Sequence, residues 1–140
     1  MFKPTPAVVA ALRERLGAAD PALDAELARR RPNLTRLLLR AAADAEPLPR
    51  ELLAAVCRAG CGLLGERHPG PTIEVRVPPY AAVQIGFGTG PVHTRGTPPN
   101  VVEMSPETFV GLATGRLSWG DARINASGAH AAEAARAFPL

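Results

Sequence analysis

The sequence predicts an α/β fold: a curved, largely antiparallel five-stranded sheet with helices packed on one face, preceded by a helical N-terminal extension. Three observations predict it. Apolar side chains recur at spacings of three and four through the first half of the chain. They switch to alternation at Thr72. From Val101 onward the order is strand, capped helix, short turn, strand and closing helix. The chain divides accordingly into an extension, residues 1–47, and a domain, residues 48–140.

Each element has its own signal. Thr5 followed by Pro6 is an N-cap and a first-turn proline; Val9, Leu12 and Leu16 form the apolar stripe, and Gly17 stops the helix. Asp20-Pro21 repeats the start signal for a second helix through Leu23 and Leu27. Asn33 caps a third, LTRLLLRAAA. From Pro49 a stronger helix runs through Leu52, Leu53, Val56, Cys57, Gly60, Leu63 and Leu64, and His68-Pro69-Gly70-Pro71 ends it. Its Gly60 and Gly62 each cost roughly 1 kcal/mol relative to alanine, so either the helix frays there or close backbone packing offsets the loss.

The register of the first hairpin can be derived. Ile73, Val75 and Val77 alternate with Thr72, Glu74 and Arg76, and Ala81, Val83, Ile85 and Phe87 alternate with Ala82, Gln84 and Gly86. Only the three-residue loop Pro78-Pro79-Tyr80 sets Val75 opposite Val83 and Ile73 opposite Ile85, keeping both apolar sets on one face. The same logic predicts a second hairpin around a Gly96 to Asn100 loop, with His93 opposite Glu103 and Arg95 diagonal to it. Ser105 then caps a helix from Pro106 to Thr114 that closes near Gly115. Ser118 caps the SWGDA turn, Ile124 to Gly128 is the last strand, and the closing helix begins at Ala129 with Ala132, Ala135 and Phe138 toward the sheet.

Composition bounds the function. With 140 residues, 46% of them apolar, and near-zero mean hydropathy, the chain is globular. Its net charge of +3 comes almost wholly from arginine, since Lys3 is the one lysine. The Ala, Arg, Pro and Gly bias reads as a GC-rich, actinobacterial-like genome, and no nucleic-acid partner is expected. No apolar run reaches the roughly 18 residues a membrane span needs, and Arg13 and Arg15 interrupt the N-terminal stretch, so a cytoplasmic protein is expected.

Few residues carry chemistry. Cys57 and Cys61 lie four apart with no second ligand pair, so they read as reduced core thiols and no metal site is expected. The glycine run from Gly86 to Gly90 leads into Pro91 and a strand, whereas a phosphate-cradling loop must open a helix. Arg29, Arg30 and Arg31 read as a solvated helix end, with transient contact to an anionic membrane surface as the alternative. His93, Arg95 and Glu103 converge as a polar cluster with three readings: a ligand anchor, an acid–base pair, or a cross-strand ion pair. No serine stands in an activated context, so no catalytic residue and no cofactor are assigned.

Several of these segments together resemble a known family. They are the strand Val101, Val102 and Met104, the helix Ser105 to Thr114, the turn Thr114-Gly115-Arg116-Leu117 and the strand Ile124 to Gly128, with VRVPPYAAVQ and HTRGTPPNVVE upstream. From about Leu52 to Leu140 the chain is similar to the sterol carrier protein superfamily, and specifically to a family of bacterial sterol-carrier orthologues. One departure is the run between Trp119 and Arg123, which is shorter than relatives tend to have.

The resemblance implies an apolar cavity between sheet and helices and a noncatalytic carrier of a fatty acyl or sterol-like ligand. Candidate wall residues are Val83, Ile85, Phe109, Leu112, Trp119 and Phe138. The alternative is an interaction module or homodimer of the same fold whose cavity has closed. Small side chains on the closing helix suit an open cavity and a tightly apposed helix equally well.

Overall fold

The computed structural model describes residues 2–44, 47–88 and 99–140. Five α-helices, four strands and two 3₁₀ segments follow in order among them: α1 Pro6–Leu16, α2 Pro21–Leu27, α3 Thr35–Ala42, α4 Arg50–Arg67, β1 Ile73–Val77, β2 Ala81–Ile85, β3 Asn100–Glu103, α5 Pro106–Thr114, the 3₁₀ turn Trp119–Asp121, β4 Asn125–Ser127 and the 3₁₀ helix Ala131–Ala137.

The cap signals act as expected. Thr5 accepts a hydrogen bond from the Val8 N–H, Asp20 accepts from Ala22 and Leu23, and Ser105 accepts from Thr108. These bonds, led by that from Leu23, hold the Asp20 carboxyl below its ordinary pKa. Gly115 closes α5 in the left-handed region at φ 79°. Two details differ. Asn33 bonds the Thr35 N–H in a turn one residue ahead of α3, whose cap position is Leu34. In α1 it is Val8, with Leu12, that is buried, while Val9 and Leu16 pack at the edge.

The sheet order is β2-β1-β3-β4. The β1–β2 hairpin has the derived register, Ile73 opposite Ile85 and Val75 opposite Val83. β3 lies parallel to β1, and β4 antiparallel to β3. Both backbone edges of β3 are therefore taken: Glu103 pairs with Arg76 on one side and Asn125 on the other, which leaves no edge for the second hairpin. The described residues form four strands; the fifth, expected ahead of the Gly96 to Asn100 loop, falls outside them, as do His93 and Arg95. A parallel pair needs a long connection, and residues 86–99 supply it between β2 and β3.

α4 packs on β2, and the closing 3₁₀ helix packs on β1, β3 and β4. α5 packs against α4, and α1 and α3 sit against α4, with α3 also touching α5. One apolar cluster runs from Val8 to Ala137, so the N-terminal helices share their core with the sheet's helices. Arginines reinforce this union: Arg15 and Arg116 donate to the carbonyls of Ala41 and Ala42 at the C-terminus of α3.

The closing helix differs from expectation in phase and in type. Its three-residue repeat places Ala131, Ala134 and Ala137 on the buried face, one position before the expected set. Asn100 fixes that helix. It is buried at 1% exposure, its Nδ2 donates to the Thr72 carbonyl at 3.0 Å, and its Oδ1 accepts from the His130 N–H at 2.8 Å.

Candidate functional site

Among the described residues, the space between sheet and helices is packed. Val75, Val77, Ile85, Val102 and Phe109 are 0% exposed. A side chain bordering a void wide enough for water would register some exposure, so no such void opens onto these five. Gly60 explains part of the fit: a Cβ there would lie 2.7 Å from the Phe109 ring, which occupies the room the glycine leaves. Of its two sequence-level readings, close packing holds, and α4 runs through without fraying. Ile85 and Phe109, two of the six candidate wall residues, thus lie inside the packed seam.

Three of the other four meet at its rim. Leu112, Trp119 and Phe138 line one cleft of about 310 Å³, joined by Gly115, Leu117, Ser118, Ala135 and Pro139. α5 supplies Leu112 and its glycine cap, the 3₁₀ turn presents Trp119, and the end of the closing helix presents Phe138. The Phe138 ring meets Phe109 edge-on at 5.8 Å and stacks obliquely on Trp119 at 6.2 Å, so it connects the cleft to the packed seam. Among the described residues no charged side chain lines this cleft. The hydroxyl of Ser118, one of its lining residues, donates to Asp121 Oδ2 at 2.9 Å.

Val83 lies in a second cleft, of about 410 Å³, with Phe2, Arg58, Cys61, Gly62, Tyr80, Ala81 and Ala82. Both clefts fall within the lower part of the range of about 300–1,000 Å³ typical of small-molecule sites. Sequence reasoning missed Arg58, Tyr80 and Phe2 here because they come from α4, the hairpin loop and the N-terminal segment, which no periodicity links. The unexplained Gly62 was the available signal.

Of the expected His93, Arg95 and Glu103 cluster, Glu103 alone lies among the described residues. Glu103 faces Arg76 across β1 and β3, and Glu74 accepts a short hydrogen bond from the Arg76 Nε. That bond foremost, with Glu103 adding charge, holds Arg76 above its ordinary pKa. A second set, His130 with Glu133 at 2.6 Å and Arg136 beyond, sits on the closing helix. Cys57 and Cys61 are buried and free, and burial foremost pushes both thiols up to about 12, the wrong direction for a nucleophile or a metal ligand. No group of three or more metal-ligating side chains occurs among the described residues. Nor is any described helix long and apolar enough to cross a membrane.

A search of curated proteins finds no match to the chain. A family model described as bacterial SCP ortholog matches residues 49–140, from the start of α4 through the sheet, α5 and both 3₁₀ segments, and so includes Leu112, Trp119 and Phe138. The chain belongs to this family of bacterial sterol carrier protein orthologues.

Proposed function

We propose that the protein binds the apolar body of a lipid-like molecule, without transforming it, in the cleft of Leu112, Leu117, Trp119 and Phe138. The observation that carries this reading is the half-buried Trp119–Phe138 pair in a groove with no charged lining among the described residues. Burial of acyl or polycyclic surface there contributes about 25 cal/mol per Å² of apolar area, and the head group stays at the rim. Family membership supports the reading. Exposed Arg29, Arg30 and Arg31 support loading at an anionic membrane surface, since among the described residues Arg29 has only a long 3.6 Å contact to Glu26.

Trp119 is the chain's one tryptophan, so its emission reports the cleft directly. Titration with decanol should shift that emission saturably at one-to-one stoichiometry, and Ala135→Phe, which fills the cleft, should abolish the shift. An emission unchanged by decanol and by longer alcohols would refute the proposal.

The dry seam favours a second reading, an interaction module of the same fold. A discrete dimer by sedimentation, with no lipid bound, would support it.

A further inference from the structure

Gly62 sits in the interior of α4, where glycine costs helix stability, and among the described residues no atom accounts for it. A Cβ at Gly60 would strike Phe109 and one at Gly65 would come 2.9 Å from Val83, whereas one at Gly62 would meet nothing within 4 Å. Gly62 lines the cleft of Phe2, Cys61, Tyr80 and Val83, and also a smaller one with Asn33, Leu63 and Glu66. One turn earlier on the same helix Arg58 lines that cleft, its guanidinium 5.9 Å from the centre of the Tyr80 ring. Arg58 is exposed, and among the described residues it has no carboxylate partner. A cation over an aromatic ring, beside a shallow groove of mixed polar and apolar lining that includes a helix glycine, is complementary to an anion carrying an apolar tail.

We infer that this cleft is a second binding site, separate from that of Trp119, and that it takes an anion-headed amphiphile of the fatty carboxylate class. The carboxylate pairs with the Arg58 guanidinium at the Tyr80 end, and the chain lies over Gly62 against Phe2 and Val83. Nothing in this assignment depends on the Trp119 cleft being occupied.

Amide and indole NMR shifts of the full chain, titrated with decanoate and separately with decanol, test it. Decanoate should shift the Gly62, Tyr80, Ala82 and Val83 amides saturably, and should bind about fivefold more weakly to Arg58→Gln. Decanol should bind there more weakly than decanoate. Gly62→Leu places a side chain in empty space, so it should fold at least as well as the natural chain and lose the decanoate shifts. Shifts confined to Trp119 and Leu117, an absence of shifts, or undiminished binding to both variants would overturn the assignment. The Trp119 indole signal reads the other cleft in the same spectrum, so failure of either site is seen separately.

Discussion

The seam between sheet and helices and the rim around it are built from the same kinds of residue and behave oppositely. In the seam, glycine lets two elements touch: Gly60 receives the Phe109 ring, and the alanine face of the closing 3₁₀ helix lies against β1 and β3. At the rim, Gly62 and Ala135 line clefts, and no described atom lies within 4 Å of a Cβ placed at Gly62. Small side chains therefore do not by themselves mark a cavity. The same residue type reads as contact or as vacancy according to what the opposing element presents.

The contrast can be broken most forcefully at Phe109. If the seam is as tightly filled as its burial indicates, Phe109→Ala should cost about 3–5 kcal/mol of unfolding free energy in urea, the range for emptying a packed aromatic site. A smaller loss would mean the seam collapses easily. Gly60→Ala comes next and should cost about 1–3 kcal/mol by overpacking, because the Phe109 ring must shift to admit a methyl group. Gly62→Ala should do the reverse, raising stability by about 0.5–1 kcal/mol, since the helix gains and nothing is displaced. Opposite signs at two positions of one helix would be the clearest evidence that seam and rim differ.

The buried thiols sharpen the comparison from the alkaline side. Their folded pKa values, about 12, stand above the ordinary 9.0. The fold therefore keeps them protonated while the unfolded chain ionises. The stability they contribute is fully present below pH 9.0 and declines as pH climbs toward 12. Urea midpoints on either side of pH 9.0 should show this fall. The double variant Cys57→Ala, Cys61→Ala should flatten it.

Much of this architecture was legible because it rests on local chemistry. The Thr5, Asp20 and Ser105 caps, the Gly115 stop and the register set by Pro78-Pro79-Tyr80 are all decided within a few residues. Pairing between distant segments was not. Val101 to Glu103 alternates the same way whether its neighbour is a hairpin strand or a parallel β1, and only the long connection chooses. The phase of the closing helix was missed because one residue separates two alanine faces of nearly equal polarity; the Asn100 bond to the His130 N–H selects between them.

The candidate site was legible in part for the same reason. Leu112, Trp119 and Phe138 come together, whereas Val83 joins a different cleft and Ile85 faces the packed interior. Alternation shows which face of a strand is apolar. It does not show what the opposing helix brings to that face, and so it cannot separate a wall from a filled core.

The central claim is that ligand meets this protein at the rim and leaves the sheet–helix seam dry. Isotope-filtered NOE spectra of unlabelled decanol bound to methyl-labelled protein test it most directly. The account predicts cross-peaks to the Leu112 and Leu117 methyl groups and none to those of Val75, Ile85 or Val102. Cross-peaks to Ile85 and Val75 would place the ligand between sheet and helices and contradict it.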